Sequence, residues 1–214
     1  ELANGQDIQR GAIEGGTGSN IQLLREGFAP NQFFVYKQLY DNNGNPIESA
    51  YADLNGDNVI NNDDRYLYRN PQADVTMGLQ SSMNYKGFDF TFNMRASIGN
   101  FVNNNVNSSR AQFSFLRDNA VLGNIPTQVL DTGFQNRSSD KLLSDIYIED
   151  ASFLRIDNVQ LGYTFEDFFD TSASLRIFGG VQNVLTITEY SGLDPEIFNG
   201  IDQTIFPRAR TVLL

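Results

Sequence analysis

The chain has 214 residues, neither Cys nor His, and a formal net charge of −11. Those two absences remove disulfides, zinc–thiolate sites, thiol nucleophiles, the Ser-His-Asp triad and any imidazole base. The acidic balance argues against a nucleic-acid footprint and against a polybasic membrane anchor, and it fits a surface that handles neutral ligands and divalent cations.

The Asp and Glu residues are scattered through loops rather than paired on rigid strands, so the chain is not expected to be an enzyme. No run of ~18 apolar residues exists, which excludes a transmembrane helix. It does not exclude a membrane, because a barrel strand needs only ~10 residues of alternating pattern. The opening Glu1-Leu2-Ala3-Asn4 has neither the basic nor the apolar region of a signal peptide.

Helical periodicity is scarce, and period two dominates. The first strand candidate is residues 32–40 (QFFVYKQLY), with Phe34 and Tyr36 opposite Phe33 and Val35. A long connection, 41–74, comes next. It contains the sharpest local motif, DLNGDNVINNDD over residues 53–64. Laid on a twelve-residue calcium loop, Asp53, Asn55 and Asp57 take positions 1, 3 and 5. Val59 offers its carbonyl at 7, Ile60 is the apolar anchor at 8, and Asp64 closes at 12. Asn61 is a weaker ligand candidate, acting through water. Two features depart from the pattern. Asn58 stands where Gly is usual, which Asn tolerates because it enters the left-handed region. Asp64 is shorter than the usual Glu. No amphipathic helix precedes the loop, so it is not an EF-hand. The competing reading is an Asx-rich turn held by its own side-chain-to-backbone bonds. In either case the loop braces rather than signals.

From Val75 the alternation becomes strict. Val75, Met77, Leu79, Met83 and Tyr85 share one face; Thr76, Gly78, Gln80, Ser82 and Asn84 share the other. Lys86-Gly87 is a two-residue turn. Phe88, Phe90, Phe92, Met94, Ala96 and Ile98 then alternate with Asp89, Thr91, Asn93, Arg95 and Ser97. This predicts a β-hairpin of 75–85 with 88–98. A second hairpin lies beyond the long stretch 100–152. Val159, Leu161, Tyr163 and Phe165 alternate with Gln160, Gly162 and Thr164. The chain turns over 166–174, and Leu175, Ile177, Gly179 and Val181 alternate with Arg176, Gly180 and Gln182. Phe178 breaks the polar face. Residues 153–158 are out of phase with residues 159–165, which predicts a bulge near Asp157. After the long stretch 187–208, residues 210–214 begin another strand.

Alternation alone fits a soluble sandwich as well as a barrel in lipid. The connections favour the barrel. Two are short and three are long, and short turns opposite long loops are an outer-membrane barrel signature. Tyr85, Phe88, Phe165, Phe168 and Phe169 near the short turns suit an aromatic girdle, although ordinary turn packing would also place them there. Loop aromatics Tyr66, Tyr68, Phe101, Phe113, Phe115, Tyr190, Phe198 and Phe206 could stack on sugar rings, but most are expected to pack the loops.

A series of segments, in order, resembles one family. They are NQFFVYK (31–37), DLNGD (53–57), RNP (69–71), the hairpin over 77–95, ASFLR (151–155) running into LGY (161–163), VQNVL (181–185), YSGLDPE (190–196) and FPRART (206–211). Their combination resembles the C-terminal barrel of SusC/RagA-type TonB-dependent transporters over nearly the whole chain. The resemblance implies an all-β fold: the last strands of an antiparallel up-and-down transmembrane β-barrel with long extracellular loops, residues 1–214 being the C-terminal part. It implies the bacterial outer membrane as location, a SusD-like surface lipoprotein and the TonB complex as partners, and glycans or peptides as cargo. Glycan oligomers are the leading expectation. A peptide importer, or a soluble calcium-braced β domain of a surface adhesin, is the alternative. Set against that resemblance, the sequence is expected to lack the plug domain and TonB box and to stop within its last strand. The expectation is therefore a segment ordered only when its barrel is completed.

Overall fold

The computed structural model describes residues 6–13, 19–118, 121–136, 140–167, 172–203 and 206–214. In chain order the first strands are β1 (Ile8–Ala12), β2 (Asn20–Leu24), β3 (Gln32–Tyr36), β4 (Gln38–Tyr40), β5 (Pro46–Tyr51) and β6 (Arg65–Leu67). The long strands β7 (Val75–Tyr85) and β8 (Phe88–Ile98) come next. Then come β9 (Phe101–Asn104), a short helix α1 (Asn105–Arg110), β10 (Arg117–Asp118), β11 (Val121–Leu122) and β12 (Ile148–Asp150). The last are β13 (Phe153–Phe165), β14 (Leu175–Thr188), β15 (Ile201–Asp202) and β16 (Thr211–Leu213). The chain divides into two compact units.

One unit gathers residues 73–100, 151–195 and 206–214. It is a five-stranded antiparallel sheet in the order β16-β14-β13-β8-β7. The first hairpin forms in the expected register, from Val75 opposite Ile98 to Tyr85 opposite Phe88. Lys86 and Gly87 both have positive φ, 47° and 84°, as a two-residue turn that matches strand twist requires. The pairing of β13 shifts between Ile156 and Asn158 against both neighbours, so Asp157 is the bulge that the broken alternation indicates. The long connections all leave from one end of these strands. Lys86-Gly87 and the turn after Phe165 close the other. Part of that turn, with Phe168 and Phe169, lies outside the described residues.

The other unit gathers residues 1–72, 101–150 and 196–205. It takes in most of the three stretches expected as long connections, together with residues 1–40, and these build a core of their own. A sheet β1-β2-β3-β6 and a smaller sheet β12-β9-β15 supply most of it. Ile21, Phe33, Val35, Tyr36, Leu142 and Ile201 form the cluster, with Tyr66, Tyr68 and Phe101 packed against it. Residues 32–40 are not one strand. The pairing breaks at Lys37: β3 lies between β2 and β6, and β4 pairs with β5. Phe33 and Val35 are fully buried here, so this segment is core rather than an edge strand of the long-stranded sheet, whose edge is β7. The physical reason is burial on both faces, which alternation within one strand cannot reveal.

Candidate functional site

Register assigns every residue of the long-stranded sheet to a face, because directly opposed residues point the same way. Val75, Met77, Leu79, Met83 and Tyr85 share a face with Phe88, Phe90, Phe92, Met94, Ala96 and Ile98. β13 adds Leu154, Ile156, Val159, Leu161 and Tyr163. β14 adds Ile187, Leu185, Val181, Ile177 and Leu175, and β16 adds Val212. Ser81, opposite Phe92, is the polar exception. This face is not packed under protein: Met77 is 53% exposed, Leu161 53% and Ile177 59%. A contiguous apolar face of this size needs an apolar neighbour.

The opposite face is polar and carries ion pairs. Arg176 donates to both carboxylate oxygens of Asp89, Nε at 3.0 Å and a terminal nitrogen at 2.6 Å. These residues sit on β14 and β8, with β13 between them. Gly162 on β13 makes the pair possible, since a Cβ there would run into both the Asp89 carboxylate and the Arg176 guanidinium. Arg95 donates to Asp157 at 2.8 Å, so the bulge re-aims its Asp toward β8. The two aromatics that break the polar face lie beneath arginines. Arg176 sits 4.9 Å over the Phe178 ring, and Arg155 sits 5.2 Å over Phe153.

Four of the motifs that carried the family resemblance meet around Asp194. It accepts from Arg155 at 2.7 Å and from Arg208 at 2.8 Å. Thus the last residue of ASFLR, the Asp of SGLDPE and the first Arg of FPRART form one cluster. The Asn of VQNVL joins it. Asn183 has a positive φ of 53° and donates from its amide to the Arg208 carbonyl at 2.9 Å. Its own carbonyl accepts from Arg210 at 3.3 Å. The motifs contain these residues, but sequence alone does not pair them. Opposite charges recurring in separate motifs were the available signal.

In the other unit, the 53–64 loop places its ligand candidates in a dense set of side-chain-to-backbone bonds. Asp53 accepts from the N–H of Gly56 at 2.6 Å and of Asn58 at 2.8 Å. Asn55 and Asp57 accept from the N–H two residues on, at 3.0 and 2.8 Å. Asp64 accepts from Leu54 at 2.8 Å and Asn61 at 2.9 Å. Those backbone donors hold the Asp64 carboxyl below its ordinary value of 3.8, the Asn61 N–H having the largest effect. Asn61 closes a reciprocal capping box with Asp64. Asn58 takes the left-handed conformation, φ 63°, as expected where Gly is usual. Among the described residues the Val59 carbonyl receives a long 3.4 Å contact from the Asn61 amide. The five candidates are all oxygen donors, the chemistry a hard cation takes. Among the described residues no three acidic side chains converge in a ready cation site.

Of the loop aromatics, Tyr190 is 5% exposed, and Tyr66 donates to Asp145 at 2.7 Å. Burial pushes the Tyr66 phenol far up, with the Asp145 carboxylate adding to it. Tyr68 and Phe101 pack on the core, and Phe113 and Phe115 are half-buried. Phe198 and Phe206 stand free of cover. Near the short turns, Phe88, Tyr163 and Phe165 form a row with neighbouring centroids 4.6 Å apart, and Lys86 caps Tyr85.

A twisted antiparallel wall with one apolar face, one polar face, minimal turns at one end and long connections at the other is the architecture of a transmembrane β-barrel wall. No protein-family profile matches the chain. The chain is 41% identical over 208 residues to the TonB-dependent receptor SusC of Bacteroides thetaiotaomicron, a match covering 94% of the chain and 20% of the relative. It is 30% identical over 196 residues to the TonB-dependent receptor P3 of Formosa agariphila, covering 82% and 19%. Solved structures share the fold, among them two of RagAB. The RagAB peptide transporter matches with a TM-score of 0.68 at 17% identity, over 96% of this chain and 23% of that one. The RagAB peptide importer in its open-open state matches with a TM-score of 0.66 at 17% identity, over 99% and 24%.

The chain belongs to the SusC/RagA type of TonB-dependent receptor. It spans about one fifth of the length of the curated relatives it matches. Those relatives are receptors and transporters rather than enzymes, in line with the sequence expectation, and TonB-dependent receptors are outer-membrane proteins.

Proposed function

We propose that this chain is part of the wall of an active transporter in the bacterial outer membrane. It imports glycan oligosaccharides with a SusD-like surface lipoprotein and is energised by TonB. The observation that carries the reading is the two-faced wall in a chain 41% identical to SusC along almost its whole length. The apolar face meets lipid. The polar face, rich in Asn, Gln and Thr with its charges paired, lines the lumen and suits neutral, hydroxyl-rich cargo. The peptide-importing neighbours share only 17% identity, so their cargo does not carry over.

The test is uptake in cells carrying or lacking the full receptor, with labelled neutral oligosaccharides and labelled peptides offered side by side. Receptor- and TonB-dependent oligosaccharide uptake is expected. Receptor-dependent uptake of peptides alone would replace the glycan reading with the peptide one.

We further propose that the 53–64 loop takes a calcium ion on Asp53, Asn55, Asp57, the Val59 carbonyl and Asp64. Leu54 and Asn55 both donate to Asp64 Oδ1, but the backbone bonds within the loop leave a second lone pair on Asp64 Oδ2 and on the Asp53 and Asp57 carboxylate oxygens, so self-bracing and cation binding are compatible. Calcium should slow proteolysis within 53–64 in the full receptor, and Asp53→Ala with Asp57→Ala should abolish that protection. Equal protease sensitivity with calcium and with chelator would leave the self-braced turn as the whole explanation.

A further inference from the structure

The sheet β1-β2-β3-β6 carries a concave site that neither the wall nor the cation loop uses. Its volume is about 550 Å³, within the range of small-molecule sites. The sheet order fixes its layout. Asp7, just before β1, and Arg25, just after β2, pair at 2.5 Å on one flank. Asp63, just before β6, stands on the other. Phe34 on β3 forms the floor, and Phe28, in the β2–β3 connection, stands at the rim half-exposed.

The polar groups of this site differ in what they have left to offer. Arg65 lies 4.3 Å over the Phe34 ring, but its guanidinium is committed to the carbonyls of Phe34 and Asn20. Burial pulls it down to about 10. It stiffens the floor and is a poor anion hook. Arg25 forks onto Asp7 through two of its nitrogens, which leaves further N–H donors on the same planar group. The Asp63 backbone N–H bonds to the Asn61 side chain, which holds the main chain there in place. Its carboxylate has no partner among the described residues. Arg25 also sits 5.7 Å over the Phe28 ring, which orients that ring.

We propose that this pocket is a saccharide subsite. One pyranose ring lays its C–H face on Phe28, its hydroxyls donate to Asp63 and Asp7, and Arg25 donates to a hydroxyl oxygen. The inference rests on the glycan-import reading and adds a place for one sugar. A half-exposed aromatic ring, an exposed carboxylate and a forked donor on the opposite flank match the mixed apolar and hydroxylated faces of a neutral sugar. An anionic ligand would meet two carboxylates, with one cation already paired and the other spent on carbonyls.

The experiment uses the full receptor purified in detergent and an array of labelled neutral hexose oligosaccharides of about two to seven units. Wild type, Phe28→Ala and Asp63→Ala are compared. Asp63 is exposed, so its loss does not threaten the fold, and heat-modifiable gel migration confirms the barrel in each variant. The expected result is that wild type binds array members and each variant weakens that binding about five- to tenfold. If wild type binds and both variants bind within about twofold of it, the subsite is refuted while glycan import stands. If wild type binds no member of the array, the glycan reading itself falls and takes the subsite with it.

Discussion

Arg155 and Asp194 lie 39 positions apart in the sequence and meet at 2.7 Å in a pair almost closed to solvent. Arg208 holds the other oxygen of the same carboxylate from a far more exposed position. Removing one partner of a buried pair strands the other charge, which costs about 3–5 kcal/mol. Asp194→Ala should therefore destabilise the folded receptor by about that amount. Arg208→Ala removes an exposed partner and should cost at most about 1 kcal/mol. Denaturant unfolding of the two variants in detergent checks the ranking; equal costs would refute the assignment of the buried pair.

The Asp89–Arg176 pair depends on the missing side chain of Gly162. Gly162→Val should separate the two groups, because its Cβ and methyls fill the space they meet in. The atoms in the way are the ends of two partly exposed side chains that can swing aside, so the expected cost is small, that of losing a partly exposed ion pair, but larger than at Gly179. Gly179, on the apolar face, has nothing within 4 Å of a Cβ position, so Gly179→Ala should be near neutral. Thermal unfolding of both variants separates crowding at Gly162 from a general intolerance of glycine replacement.

A charge tests the faces directly. Leu161→Arg puts a cation on the apolar face at mid-strand and should cost about 2–4 kcal/mol in a bilayer. Gln160→Arg, one residue away, points to the polar face, where Gln160 is half-buried, and should cost clearly less than the change at Leu161, because a charge facing the lumen stays in contact with water. Similar penalties at both positions would show that the faces are not lipid and water.

Acid should loosen the 53–64 loop late. Backbone donors depress the folded-state pKa of Asp64. A depressed carboxylate contributes stability above its unfolded value, and that stability is lost as pH falls through the folded value. Since the ordinary value is 3.8, hydrogen exchange of the Leu54 and Asn61 amides should stay slow down to about pH 4 and accelerate only below it. Acceleration already at about pH 5–6 would contradict the role of Asp64.

The wall was legible because each of its strands has one face toward apolar surroundings and one toward water, so period two survives in the sequence. The hairpin from Val75 to Ile98 and the bulge at Asp157 are readable from that alone. The second unit was hidden for the opposite reason. Phe33 and Val35 on β3, Leu142 from a short turn and Ile201 from the last long connection are buried together. They come from segments with no shared period, and burial on both faces removes the alternation. Residues 32–40 therefore read as a single strand, although the chain changes sheets at Lys37. The calcium-type spacing was visible, and so were the acceptors that let the loop brace itself. The pocket over β1-β2-β3-β6 was not visible, because its charged groups come from three separate stretches and converge only through the sheet order.

The barrel-wall assignment rests on adjacent residues of one strand facing lipid and water in turn. The chain has no Cys, so single cysteines can be placed one at a time in the full receptor, on a background free of other cysteines, and spin-labelled in lipid bilayers. Labels at Phe90 and Phe92 should be reached by oxygen from the membrane interior, and labels at Asp89 and Thr91 by a water-soluble nickel complex, with the preference reversing at each step along β8. Uniform water access at all four positions, with no alternation, would contradict a membrane-spanning wall and return the sheet to a soluble β domain.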